Sequence, residues 1–178
     1  MRLKTAVTAL VIVASLLSAP GSLSAMEATT QIAEDAVAVS VPNDPCIIGC
    51  APYGVPWYLE AIGAYEAWEV TTGSDDVLIA VVDTGIDDQH PDLQGRVRRI
   101  PGCGLGQSGS FDTSHGTFIA GLIGAAANNS IATAGLDWNA QILDVRVMNG
   151  SNGSTSEIAA GIKCAAANGA DIISLYFV

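Results

Sequence analysis

Asp83 and His115 are the side chains of this sequence whose types and spacing suit proton-transfer chemistry; they stand 32 residues apart. Asp83 closes the run Val77–Val82 and is followed by Thr84 and Gly85. In open α/β sheets, ligands and catalytic groups gather at the carboxyl ends of such buried strands. His115 lies in Ser114-His115-Gly116-Thr117, at the start of a glycine-rich helical pattern. The positive end of a helix disfavours an imidazolium, and a general base must be neutral to act. Gly116 leaves room beside it for a substrate. An aspartate that holds the Nδ1 proton of an imidazole, and an imidazole that takes a proton from a hydroxyl, are two members of a nucleophilic triad.

Each residue also has a plain structural role open to it. Asp83 could cap the turn after its strand, and His115 could be an ordinary first-turn residue. Asp83-Thr84-Gly85 would also serve paired-carboxylate chemistry, but that needs a second such carboxylate, and the chain has one copy of the string. Asp83, Asp87, Asp88, His90 and Asp92 could be read as a metal cluster. An EF-hand loop is excluded, because its glycine and closing glutamate are not at the required offsets.

The elements that must position this pair read as alternating strands and helices. Val77–Val82 is a continuous apolar run, the pattern of a strand buried on both faces of a parallel sheet. Gly95–Ile100, Gln141–Val147 and Asp171–Val178 read as further strands. Leu59–Val70 reads as a helix, as does His115–Ala127. The latter contains Gly116, Gly121 and Gly124, each costing about 1 kcal/mol relative to alanine, which predicts close backbone packing. Ser154–Asn168 carries the strongest helix signals: Ser154 with Glu157 as a capping box, and Gly169 at the far end. The expected fold is α/β with a parallel sheet.

The 178 residues are enough for one domain. They are 49% hydrophobic and 14% charged, which excludes a disordered chain. The net charge is −11, and such an acidic chain is a poor ligand for nucleic acid. Arg96, Arg98 and Arg99 form the only basic cluster. Arg2 and Lys4, the apolar run Ala6–Leu17 and the small residues Ser18–Ala25 have the order of a secretory signal peptide. Residues 1–25 are therefore expected to be removed and the protein secreted, with no membrane attachment beyond that peptide. Residues 26–51 read as an acidic linker or short pro-segment. In an oxidising compartment Cys46 and Cys50 are expected to form a local disulfide, with Cys103 and Cys164 as a further pair, though spacing alone does not fix connectivity.

Longer strings bring a family into view. Val77–Val97 (VLIAVVDTGIDDQHPDLQGRV) resembles the aspartate segment of the subtilisin-like serine peptidases, the subtilases. Ser114–Ala127 (SHGTFIAGLIGAAA) resembles their histidine segment, and Gly135–Ser174 continues in register. The resemblance runs over roughly residues 52–175. It implies a doubly wound parallel sheet of the subtilisin type, here truncated after about four strands. Residues 52–178 would be the amino-terminal part of a catalytic domain. Asp83 and His115 would be the first two members of an Asp-His-Ser triad. The serine motif GTSxA does not occur, and the resemblance breaks at Tyr176, so the chain as it stands is expected to be inactive. The alternative is a non-catalytic secreted remnant or binding protein on a partial peptidase scaffold. The resemblance further implies a calcium site, with Asp92, the side chain of Asn129 and the carbonyls of Ala127, Ile131 and Thr133 as ligands. Ser151, Asn152 and Gly153 would lie along a polypeptide substrate. No organic cofactor is implied.

Overall fold

Six buried positions in a row make up β1 (Leu78–Asp83), the strand on which the sheet is built. The computed structural model describes residues 41–50, 54–105 and 112–176. The expected signal peptide, residues 1–25, and residues 26–40 of the expected linker lie outside the described residues, as do Phe177 and Val178. The described residues all fall within one compact unit, Ala38–Val178.

β1 pairs in parallel with β3 (Gln141–Arg146) on one side and β4 (Ile172–Leu175) on the other. β2 (Val97–Arg99) pairs in parallel with β3, giving the order β2-β3-β1-β4. The register sets Asp83 opposite Arg146 and Val82 opposite Leu175. The strand period of two divides β1 between two cores. Leu78, Ala80 and Val82 pack with Leu143, Val145 and Ala165, the last from α4 (Thr155–Ala167). Val81 packs with Ile86, Leu93, Ile142 and Ala120, the last from α3 (Ser114–Gly124). Helices on both faces of a parallel sheet are the expected doubly wound arrangement.

The helix expected over Leu59–Val70 is two short ones, α1 (Trp57–Ala61) and α2 (Ala64–Trp68). Gly63 breaks it by adopting φ 71°, a left-handed conformation that glycine takes without steric cost. Both pieces still bury their apolar side: Leu59, Ala64 and Trp68 pack with Ile47, Ala134 and Trp138. Ser154 and Glu157 form the capping box of α4 as read from the sequence. β2 and β4 are shorter than the strands read from the sequence over Gly95–Ile100 and Asp171–Val178. No described helix is long and apolar enough to cross a membrane.

The three glycines of α3 do different work. A Cβ on Gly116 would stand 2.3 Å from the carbonyl oxygen of Gly85, so the helix start rests directly on the turn after β1. A Cβ on Gly124 would make ordinary or slightly tight contact with Ile142, and one on Gly121 would meet nothing described within 4 Å. Close packing therefore accounts for Gly116 and not for Gly121.

Candidate active site

The end of β1 and the start of α3 meet at a tied corner. Thr84 Oγ1 accepts a hydrogen bond from the Gly116 amide (3.1 Å), and Thr117 Oγ1 accepts one from the Asp87 amide (2.9 Å). The Asp83 carbonyl accepts from the Val147 and Met148 amides, which brings the end of β3 to the same place. At this corner His115 Nδ1 lies 2.8 and 3.0 Å from the two carboxylate oxygens of Asp83. Asp83 also accepts a bond from the Thr84 amide (2.6 Å) and is 1% exposed, against 41% for the His115 side chain. A buried, doubly anchored carboxylate fixes the imidazole as an Nδ1–H donor, and this leaves Nε2 for another group.

His115 faces a cleft of about 230 Å³ lined by Thr84, Asp112, Met148, Gly150, Ser151 and Tyr176. The Tyr176 ring stacks on the imidazole, with centroids 5.7 Å apart and planes 18° from parallel. The hydroxyl and then the amide of Ser114 bond the Asp112 carboxyl and hold it below the usual carboxylate range. Ser151 reaches this cleft, whereas Asn152 and Gly153 line a neighbouring groove with Leu105, Ser154 and Glu157. Asn149 and Asn152 bridge each other through their backbones, so the Ser151 segment is the tip of a tight turn. Away from the cleft, burial pushes the Asp144 carboxyl up against the pull of Arg99, which bonds it at 2.9 Å and ties β2 to β3.

The proposed metal residues also come together. Asp92, 2% exposed, accepts a bond from Asn129 Nδ2 (2.9 Å), and Asn129 Oδ1 accepts from the Ile131 amide (2.8 Å). Ala127, Ile131 and Thr133 belong to the same loop. The sequence reading missed Asp44. Its fully buried carboxylate accepts bonds from the amides of Asn128 (2.8 Å), Asn129 (3.1 Å) and Ser130 (3.1 Å). Two buried carboxylates therefore meet at Asn129, Asp44 on its amide and Asp92 on its side-chain Nδ2. No group of three or more His, Cys, Asp or Glu side chains able to hold a metal occurs among the described residues.

Residues 41–50 are correspondingly more than the end of a linker. Pro42 and Asp44 are fully buried, Ile47 is in the core beside Trp68, and the Cys46 amide bonds the Ala132 carbonyl. Their polar, proline-flanked composition imitates a linker because the buried Asp44 carboxylate is satisfied by a loop more than 80 residues further along the chain. Disulfides join Cys46 to Cys50 and Cys103 to Cys164.

With this geometry in place, comparison with known proteins is direct. The family model described as "Subtilase family" matches residues 74–176. The cell wall-associated protease of Bacillus subtilis (strain 168) is 43% identical over 105 residues, 57% of this chain and 12% of that protein. Thermitase of Thermoactinomyces vulgaris is 40% identical over 138 residues, 75% of this chain and 47% of thermitase. Among solved structures, fervidolysin from Fervidobacterium pennivorans, described as a keratinolytic enzyme related to subtilisin, superposes with a TM-score of 0.53 at 34% identity. That match covers 66% of this chain and 19% of fervidolysin. The chain thus spans less than half the length of each of these proteins.

Proposed function

The chain belongs to the subtilase family of serine proteases, and on that premise we propose that residues 52–178 are the amino-terminal part of the catalytic domain of a secreted endopeptidase. The observation that carries this reading is the Asp83–His115 pair, 2.8 Å apart at the corner between β1 and α3. Asp83 holds the Nδ1 proton and stabilises the imidazolium that forms. His115 Nε2 takes the proton of a serine hydroxyl as that oxygen attacks a peptide carbonyl. The same nitrogen then gives the proton to the departing amine, leaving an acyl-enzyme for water to hydrolyse.

The serine of the triad would sit in a GTSxA motif, a string that these 178 residues do not contain. The chain by itself is accordingly inactive. Secretion rests on the signal-peptide pattern of residues 1–25 and agrees with the wall association of the Bacillus relative. Asp92, Asn129 and the 127–133 loop, together with Asp44, would hold a structural calcium. A calcium ion held there would supply positive charge to balance these buried carboxylates.

An active-site fluorophosphonate tests the catalytic reading on two proteins: the purified chain, and the chain continued after Leu175 with the downstream part of a related subtilase. The first stays unlabelled. The second is labelled on its GTSxA serine, and labelling falls sharply with His115→Ala. Labelling of the unextended chain at any serine, abolished by His115→Ala, would overturn the proposed inactivity. Labelling of the extended chain that is indifferent to His115→Ala would overturn the proposed base.

A further inference from the structure

The His115 cleft has an uneven chemistry. Its one carboxylate among the described residues is that of Asp112, and no described lysine or arginine lines it. Only one Asp112 oxygen is engaged by the described residues, through Ser114. The two bonds from Ser114 favour the ionised form, so the charge is present at neutral pH. The other walls include the thioether chain of Met148 and the broad face of Tyr176, which is half-exposed at 56%. An occupant matched to these walls has an apolar stem and a cationic head. The stem lies along Met148 and Tyr176, as long basic side chains do on apolar surface. The head is attracted by the Asp112 carboxylate and by the ring face. The net charge of −11 adds a field that draws cationic ligands toward the molecule.

We propose that Asp112 and Tyr176 form a subsite for a lysine or arginine side chain of a polypeptide, so that substrates with a basic residue beside the bond held at His115 are preferred. This rests on the reading of the His115 cleft as a peptide-binding site and adds the class of side chain that it accepts. Neither residue takes part in proton transfer; both are specificity-determining.

The test uses the 178-residue chain itself, with the imidazole Cε1–H resonance of His115 as the reporter in NMR titrations. The probes are the N-acetylated, amidated pentapeptide Ala-Ala-Lys-Ala-Ala and its counterparts with norleucine or glutamate in place of lysine, at low ionic strength. The lysine peptide is expected to move the His115 resonance at concentrations at least about fivefold lower than the norleucine peptide, with the glutamate peptide weakest. Asp112→Asn keeps an acceptor for the Ser114 amide and removes the charge, and it brings the lysine peptide to the norleucine level. Tyr176→Leu keeps an apolar wall and reduces the lysine advantage only in part. Equal titration by lysine and norleucine peptides, or a lysine preference that survives Asp112→Asn, would overturn the subsite while leaving peptide binding intact. Failure of all three peptides to move His115 would overturn the subsite and the cleft reading together.

Discussion

At the scale of single residues, the contrast in exposure between Asp83 and His115 is what makes the pair useful. Asp83 is sealed from water and anchored by the Thr84 amide, so its charge is spent on the imidazole, while the ring keeps one side open. An asparagine in its place preserves shape but can hold the wrong tautomer. In the chain extended to include a nucleophile, Asp83→Asn is expected to lower kcat by about 10⁴-fold, the scale of a triad aspartate, with KM little changed. Steady-state kinetics on a chromogenic peptide reads both. Asp44 and Asp92 are a second pair of buried carboxylates, each bonded to Asn129. Millimolar calcium should raise the melting temperature of the native chain and leave that of Asp92→Asn unmoved, as differential scanning calorimetry would show. An identical calcium response in both proteins would rule Asp92 out as a ligand.

Among the elements, α3 is placed by backbone contact rather than by side-chain packing. The Gly116 Cα sits against the Gly85 carbonyl, and no rotamer can relieve a methyl group added there. Gly116→Ala is expected to cost about 1–3 kcal/mol through overpacking and to draw His115 away from Asp83. A lowered unfolding midpoint with an altered His115 resonance is the expected pair of observations; Gly121→Ala, facing open space among the described residues, is the control. The start of α4 is a different case, governed by capping. Ser154→Ala should cost about 1 kcal/mol. The Ser154 hydroxyl, and then the Ser154 amide, hold the Glu157 carboxyl below its ordinary value. A depressed carboxyl stabilises the fold fully above its unfolded pKa and loses that contribution as pH falls through the folded one. The gap in melting temperature between native and Ser154→Ala chains should therefore be wide at pH 7 and narrower near pH 3.

For the molecule as a whole, the two disulfides act on different lengths of chain. Cys103–Cys164 joins the loop after β2 to α4 across 61 residues, whereas Cys46–Cys50 closes a separation of 4. Loop-closure entropy assigns roughly 4 kcal/mol to the first and roughly 2 kcal/mol to the second. Replacing Cys103 and Cys164 by alanine should lower the urea midpoint clearly more than replacing Cys46 and Cys50. Equal losses would mean that the short bridge does more than restrict the unfolded chain, for instance by holding Ile47 against Trp68. The β4 edge is the other property at this scale. Ile172 and Leu175 are about half-exposed on a strand paired, among the described residues, only with β1. Such an edge favours self-association, and Leu175→Lys should raise the concentration at which the chain remains monomeric in analytical ultracentrifugation.

Local signals determined most of the framework. The apolar run before Asp83 specified a strand buried on both faces, because only a central parallel strand can hide six consecutive side chains. Ser154, Glu157 and Gly169 marked both ends of α4, since capping is chemistry between neighbours in the chain. The string around His115 sufficed to single out the residue. What the chain could not announce locally was anything built between distant segments. Gly63 looked like one more residue in a helical pattern, but its left-handed backbone divides the segment into two short helices that both pack with Ile47 and Trp138. Asp44 read as linker because its three amide partners lie more than 80 residues away. Tyr176 registered only as a departure from a familiar pattern, and Asp112 not at all. Parallel pairing of β4 with β1 is what carries the Tyr176 ring over His115 and closes the cleft that Asp112 shares. Composition and short-range spacing govern which residues can do chemistry; the long-range register of the sheet governs which of them share a cleft, and that depends on pairings no local window contains.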